Sequence, residues 1–318
     1  MEVDSPATDA LEGDIPEDGR AGRCAIVGRP NVGKSTLLNA LLGQKLVIAT
    51  ARPGTTRSCV LGVMVEEDPP TQIAFVDTPG IGRSQTNLHR MLVEEARAGL
   101  SDVEVVLLLT DLGKRGRAPE DRADDPVYEA ARAARKPIVV AINKVDRVEN
   151  KPKILPLLQR WLDREGVVAV VPISATRKTN LKELVGELRN QLPEGWLYPD
   201  DTLTDRPERF FAAEFIREAA LERTRAEVPH GVAVAIDEFH DDDGLTRIHA
   251  TLVVEKPSHK GIVIGAGGQR LKEIGSAARR EIEAMIGRKV FLKLWVKVVE
   301  GWTRNPQKAR ELLKEDAR

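Results

Sequence analysis

The sequence predicts an α/β protein, a doubly wound α/β domain followed by a smaller α+β domain. Three observations carry that expectation. From residue 23 onward, short apolar runs alternate with amphipathic helical stretches; the segment YPDDTLTDRPE at 198–208 is rich in Pro and Asp with almost no apolar periodicity; and beyond it the order helix, strand, strand, helix, helix, strand closes around a glycine-rich turn. For 318 residues, at roughly 150 residues per domain, two domains are the default. The expected partition is an acidic tail at 1–20, an α/β domain at 21–197, a linker at 198–209, an α+β domain at 210–302 and a C-terminal tail at 303–318.

Along the chain, residues 1–20 hold seven carboxylates and no Lys or Arg before Arg20. They lack the basic and then apolar order of a secretory signal, so a solvated, disordered tail is expected. The runs 24–27, 73–76, 103–109, 138–142 and 167–173 are short and continuously apolar, as in parallel strands buried on both faces. Helical stretches at 35–42, 88–100, 126–135, 154–165 and 181–191 supply the crossovers. In the second domain, 210–226 forms a helix, and 232–239 and 246–254 form strands joined by the acidic turn HDDDG ending at Gly244. A turn at 265–268 leads into a helix over 270–285, and 290–299 is the last strand.

Composition excludes several classes. Apolar residues make up 42% and charged residues 31%, too apolar a mixture for wholesale disorder. The longest nearly apolar stretches, such as 103–109, fall far short of the ~20 residues of a membrane-spanning helix. Cys24 and Cys59 lack metal or redox spacing, so a buried structural role in a cytosolic protein is expected. His89, His230, His240, His249 and His259 show no metal spacing either. The net charge of −1 conceals an asymmetry, since 256–297 holds ten Lys or Arg against three Glu.

Residues 28–36 spell GRPNVGKST, a Gly-x-x-x-x-Gly-Lys-Ser string between a strand and a helix, the context a phosphate-binding loop requires. In such a loop Gly28 and Gly33 turn backbone N–H groups toward phosphates, with Arg29, Pro30, Asn31 and Val32 between them. Lys34 supplies a point charge, Ser35 is placed to ligate Mg²⁺, and Thr36 continues the helix. Asp77-Thr78-Pro79-Gly80 follows the strand IAFV; its Asp can reach the magnesium through water and its Gly N–H can contact a γ-phosphate. Asn143-Lys144-Val145-Asp146 ends the run IVVAI. A carboxylate at Asp146 accepts two hydrogen bonds from guanine N1 and N2, which adenine does not offer. Ser174-Ala175 follows the strand VVAVVPI and offers a backbone N–H to guanine O6. Each element lies at the carboxyl end of a different expected strand, the edge at which open α/β sheets bind ligands.

With GRPNVGKST, PGTTR at 53–57, DTPG, NKVD and SA in place, the chain resembles translation-factor-related GTPases with their five G motifs. The segments VIGAGGQRLKEIG and LWVKVVEGW narrow the resemblance to the Era family, rRNA-binding GTPases with a C-terminal KH domain of type II order. It covers about 23–305. The resemblance implies a P-loop GTPase domain, with Thr55 and Thr56 in switch I and Thr56 joining Ser35 on Mg²⁺. Many small GTPases place a water-orienting Gln after Asp-x-x-Gly; here Ile81 stands there, and an aliphatic side chain orients no water. A slow intrinsic rate is expected. In related GTPases an Asn at the place of Asn31 helps bind K⁺, so K⁺ stimulation is expected by resemblance.

The KH-like loop is Gly265-Ala266-Gly267-Gly268, followed by a basic amphipathic helix. Bare glycines permit close approach of a nucleic-acid backbone. Many KH loops carry a Lys or Arg between the glycines, and this one does not, so phosphate contacts fall to Lys260, Arg270, Lys272 or backbone amides. Trp295, in an apolar strand, is expected in the core, and Trp302 is left open. The resemblance implies GTP and GDP as ligands, the 3′ end region of 16S rRNA and the 30S subunit as partners, a role in 30S assembly, and a cytoplasmic monomer. Mg²⁺–GTP ordering the loops around 55–56 and 77–81 would make the KH face competent for RNA, and hydrolysis would release it. The alternative is a GTPase switch whose basic second domain binds protein or an anionic membrane surface, peripheral on the cytoplasmic face of the cell membrane.

Overall fold

The computed structural model describes residues 16–49, 59–78, 102–112, 124–148, 151–224, 228, 232–242, 244–303, 305, 307–308 and 312. The expected helix at 88–100, Thr55, Thr56, Pro79, Gly80 and Ile81 lie outside them, as does the tail through residue 15. The chain divides into two compact units. One comprises Met1–Gln44, Thr56–Arg83 and Val93–Asp205; the other comprises Lys45–Thr55, Ser84–Leu92 and Arg206–Arg318.

The first unit is built on β1 (Arg20–Gly28), β2 (Val60–Glu67), β3 (Pro70–Asp77), β4 (Val105–Asp111), β5 (Ile138–Asn143) and β6 (Val167–Pro172), in the order β2-β3-β1-β4-β5-β6. The continuous apolar runs do occupy the centre: every residue from Val105 to Leu109 and from Ile138 to Ile142 is inaccessible to solvent. Reversal of strand order about β1 leaves the crevice of a doubly wound sheet at the carboxyl ends of β1 and β4. The sheet is mixed, because β2 pairs antiparallel with β3 while the other pairings are parallel. β2 was not among the expected strands: Gly62 interrupts its apolar run, and its last residues Val65, Glu66 and Glu67 are not buried.

Helix α1 (Lys34–Leu42) starts after Gly33, at φ +108°, and stops at Gly43, at φ +71°. Both are conformations that glycine enters without a Cβ penalty. Helices α2 (Asp125–Ala133) and α3 (Leu155–Leu162) each carry Pro in the first turn, where its missing N–H costs nothing. Val127, Tyr128 and Ala131 of α2 and Leu157 and Trp161 of α3 join Val106, Leu108, Val140 and Ile142 in one core cluster. Helix α4 (Leu181–Arg189) buries Leu181, Leu184, Val185 and Leu188 at helical spacing. Cys24 is buried in β1, and Cys59 is partly exposed just before β2.

The second unit contains α5 (Glu208–Thr224), β7 (Val232–Asp242), β8 (Leu245–Val254), α6 (Pro257–Ile264), a 3₁₀ turn at Ala266–Gly268, α7 (Gln269–Ile286) and β9 (Lys289–Val298). The hairpin strands extend to Asp242 and from Leu245, further into the acidic turn than periodicity indicated. β8 and β9 pair in parallel and leave β9 at the sheet edge. Helix α7 buries Ile274, Ala278 and Ile282, a four-residue repeat that lays one face on its neighbours. Trp295 is not in the core. It is 41% exposed, because strand side chains alternate and Lys289, Phe291, Lys293, Trp295 and Lys297 all take the exposed positions of β9. Trp302 is fully buried against Ala233 and Val253.

Candidate functional site

Within the first unit, the loop from Gly28 to Gly33 spans the crevice between β1 and α1. Its shape is dictated by close packing at both glycines. A Cβ at Gly28 would stand 2.5 Å from the Leu109 carbonyl oxygen, and one at Gly33 would stand 2.5 Å from Asn143 Nδ2. Asn31 adopts φ +66°, a left-handed conformation that Asn tolerates better than most residues. Val32 is buried between them.

Asn143 is the hub of the site. Its side chain, 3% exposed, donates from Nδ2 to the Val32 carbonyl at 2.9 Å, and its Oδ1 accepts from the N–H of Lys144 at 2.8 Å and of Ala175 at 3.0 Å. One buried amide thereby ties the phosphate-type loop to the exits of β5 and β6. Lys144, at φ +67°, reaches back over the loop, with Nζ 2.8 Å from the Asn31 carbonyl oxygen and 2.5 Å from Asp111 Oδ2. Val145 and Asp146 lie in the 3₁₀ turn Val145–Arg147.

Ser174, fully buried, donates from Oγ to Asp146 Oδ1 at 2.7 Å. That hydroxyl holds the Asp146 carboxyl below the ordinary carboxylate range, with smaller help from its own backbone N–H, Arg177 and Arg147. The Ser174 N–H donates to the Thr179 carbonyl at 3.3 Å and the Ala175 N–H to Asn143. Both are engaged inside the protein, so in this arrangement the pair does not hold a spare N–H for guanine O6.

Lys34 is 7% exposed, and its Nζ donates to the Gly28 and Arg29 carbonyls at 3.2 and 3.4 Å. Burial pulls its ammonium below the ordinary lysine value, and the charge of Asp77 pulls it back. A polyanion arriving at this ammonium offsets its desolvation. Ser35 Oγ donates to Asp77 Oδ2 at 3.0 Å, and the Asp77 carboxylate is fully buried. Thr78 is also buried and donates to the Ile26 carbonyl at 2.7 Å. Thr36 is partly exposed in the first turn of α1. A hydroxyl beside a carboxylate is a hard-oxygen donor set that suits Mg²⁺.

Two acids did not figure in the sequence reading. Arg29 hydrogen-bonds Asp124 through Nε and reaches Asp111 at 3.1 Å, while Thr110 Oγ1 donates to Asp124 at 2.7 Å. Asp111 had a detectable signal, a carboxylate ending a buried strand at the ligand edge of the sheet. Asp124 had none.

In the second unit the glycine-rich turn is built from positive φ angles: +74° at Gly265, +57° at Gly267 and +82° at Gly268. A Cβ at Gly265 would come 2.7 Å from Arg270 Cβ, whereas Gly267 and Gly268 face open space. Ala266 and Gly267 are exposed. Gly268 at the end of the turn and Leu271, Lys272, Gly275, Ser276 and Arg279 on α7 face Leu292, Lys293 and Leu294 on β9 across a groove of about 370 Å³. Lys260 and Lys272 are exposed, but Arg270 donates to the Ile262 carbonyl at 2.8 Å and caps α6. Arg279 was not anticipated; it lines the groove about two helical turns beyond Lys272 on the same face.

Residues 23–144 match the family of 50S ribosome-binding GTPases, and residues 227–303 match the KH domain. GTPase Era of Trichlorobacter lovleyi is 42% identical over 295 residues, 92% of this chain and 97% of that protein. GTPase Era of Pseudomonas aeruginosa is 43% identical over 305 residues, 95% and 97% of the two chains. The crystal structure of Era in complex with MgGDPNP and nucleotides 1506–1542 of 16S ribosomal RNA is similar at a TM-score of 0.86 and 42% identity, over 92% of this chain and 98% of that one. Aquifex aeolicus Era, as a variant bound to GDP and AlF₄⁻, has the same TM-score, identity and coverage.

Proposed function

The chain belongs to the Era family of GTPases, and from that premise we propose that it binds and hydrolyses GTP, binds the 3′ end region of 16S rRNA, and acts in assembly of the 30S subunit. The observation that carries the nucleotide reading is the Asn143 hub, which joins the glycine loop to the Asp146 carboxylate held ionised by Ser174. One chain of hydrogen bonds thus links the groups proposed to bind phosphate and to read the base. The family matched by 23–144 is named for the 50S particle, but the solved complex with 16S RNA matches both units and is the more specific likeness.

In this reading, Gly28 to Gly33 present N–H groups to the α- and β-phosphates, and Lys34 meets the β- and γ-phosphates. Asp146 accepts from guanine N1 and N2. Ser35 and, by resemblance, Thr56 would ligate Mg²⁺, with Asp77 reaching it through water; Mg²⁺ bound there neutralises charge on the phosphate oxygens. In the reaction, water adds to the γ-phosphorus as the bond to the β–γ bridging oxygen breaks, giving GDP and phosphate. With Ile81 after Asp-x-x-Gly no side chain at that position orients the water, so catalysis rests on positioning and electrostatics and is slow. Asn31, exposed at the loop tip, is the candidate K⁺ contact. Lys260, Lys272 and the amides of 265–268 contact RNA. No helix among the described residues is long and apolar enough to cross a membrane, and a cytoplasmic setting follows from the ribosomal role.

The test is GTP turnover by the full chain in K⁺ and in Na⁺, with RNA matching the 3′ end of 16S rRNA, with a scrambled RNA, and with none. Stimulation by the matching RNA alone is expected, with faster turnover in K⁺. Turnover indifferent to RNA, together with equal binding of matched and scrambled strands, would overturn the rRNA reading. Binding that follows only vesicle charge would favour the anionic membrane surface.

A further inference from the structure

The groove between α7 and β9 draws on Leu292, Lys293 and Leu294 of the edge strand. Lys293 also belongs to the row of exposed positions Lys289, Phe291, Lys293, Trp295 and Lys297, a strict alternation of cation and aromatic ring. Phe291 is 45% exposed and Trp295 41%. At about 3.3 Å per residue the two rings stand roughly 13 Å apart along the strand, far enough for each to take a separate base. Lys293 Nζ lies 4.8 Å from the Trp295 ring centre, and Arg247 of β8 lies 5.8 Å from that of Phe291. His249 sits edge-on to both rings, at 6.4 and 5.3 Å. Two acids of β7 border the patch and each faces one of its members: Glu238 lies 2.7 Å from His249, and Asp242 lies 3.6 Å from Arg247.

Phe291 and Trp295, linked through His249, make one exposed aromatic patch set among cations, and exposed apolar patches rimmed by polar residues mark interaction sites. A protein partner is a poor match, since Lys is depleted at protein interfaces. Alternating cations and rings answer instead to the alternating phosphates and bases of a single strand, where stacking tolerates any base. We infer that the outer face of β9, with Phe291 and Trp295 as stacking rings, is a second single-stranded RNA contact continuous with the groove. A strand leaving the groove at Leu292 and Leu294 passes over the unpaired edge of the sheet onto this row. The inference rests on the RNA reading above and extends it from a clamp to a wrapped path.

The experiment compares the full chain with Phe291→Ala/Trp295→Ala and with the groove variant Lys272→Ala/Arg279→Ala. Affinity is measured by anisotropy for a strand of about four nucleotides, the length a KH groove clamps, and for one about three times as long from the 16S 3′ end. The outer-face variant is expected to lose roughly ten-fold or more on the long strand and little on the short one. The groove variant loses both. Trp295→Phe, which keeps a ring, restores most of the loss in the Phe291 background, and ultraviolet crosslinking of the long strand to unaltered protein marks the peptide carrying Trp295. Equal long-strand affinity for the unaltered chain and the outer-face variant, with no crosslink at Trp295, overturns the second contact while leaving groove binding intact. An unaltered chain that binds neither strand overturns the RNA reading itself.

Discussion

At the scale of single residues the decisive fact is how little room the site leaves. Gly33 and Gly43 both sit at positive φ, +108° and +71°, but an added Cβ meets Asn143 Nδ2 at 2.5 Å in the first and open space in the second. Gly43→Ala is expected to cost the backbone penalty alone, about 1 kcal/mol. Gly33→Ala is expected to cost about 1–3 kcal/mol more and to weaken GDP binding, because Asn143 must give way and with it the Val32 and Ala175 bonds. Urea midpoints and GDP titration of the two variants check this; equal midpoints would mean that Asn143 moves freely. Asp146 carries a second expectation. In the proposed reading its ionised form is the one that accepts from guanine, and the Ser174 hydroxyl holds its pKa below the ordinary carboxylate value of 3.8. The unaltered protein therefore keeps its guanine affinity as pH falls toward that range. Ser174→Ala raises the Asp146 pKa toward its ordinary value, so affinity begins to fall at a higher pH; superimposable pH profiles of GDP binding would refute the role. The glycines, Lys34 and Asp146 were legible in the sequence because loop chemistry confines each to one or two residue types at fixed spacing. Asp124 was not, because its role depends on meeting Arg29 from 95 positions away, a pairing that no local pattern records.

At the scale of elements, legibility follows burial. The central strands β4 and β5 are apolar up to their polar ends and β1 is apolar over 24–27, and these runs declared them. The edge strand β2 was not among the expected strands; the edge strand β9 was expected at 290–299 and is found at Lys289–Val298, and only Trp295 was misplaced, because apolar density is a poor guide where only one face is covered. In β9, Leu292, Leu294 and Val296 on the groove face lent Trp295 the look of a core residue. Contacts between elements were also silent in the sequence. Lys45, which belongs to the second unit, donates to Glu218 on α5 at 2.7 Å and to Glu281 on α7 at 3.0 Å, and Glu218 Oε1 accepts the Ala49 N–H at 3.1 Å. The Glu218 side chain is 7% exposed while that of Lys45 is 38% exposed. Lys45→Met leaves a buried carboxylate without its cation and is expected to destabilise the protein by about 1–3 kcal/mol, toward the low end because solvent screens the lysine. Adding Glu218→Gln, which removes the charge but keeps an acceptor for Ala49, is expected to recover most of that in urea denaturation. A double variant no better than Lys45→Met would show that packing of the lysine stem, not its charge, holds the segment.

At the scale of the whole molecule, the net charge of −1 is a sum over opposed parts, seven carboxylates within residues 1–20 against the ten Lys or Arg and three Glu of 256–297. RNA binding by such a chain is governed by the local field and not by the sum, since each phosphate neutralised releases bound counterions. A strand contacting about five phosphates through the second unit is expected to show a slope of about −3.5 in log affinity against log salt, in spite of the near-zero net charge. Competition between the acidic tail and RNA for those cations can be tested through its salt dependence. Under competition, removing residues 1–15 is expected to tighten RNA binding at low ionic strength and to change nothing once the Debye length falls to about 3 Å near 1 M salt, so the two affinity curves converge as salt rises. Curves that stay parallel would mean that the deletion altered the fold of the binding surface and not its field. Curves that coincide at every salt concentration would mean that the tail's charge never competes with RNA, leaving the basic segment alone to set the slope.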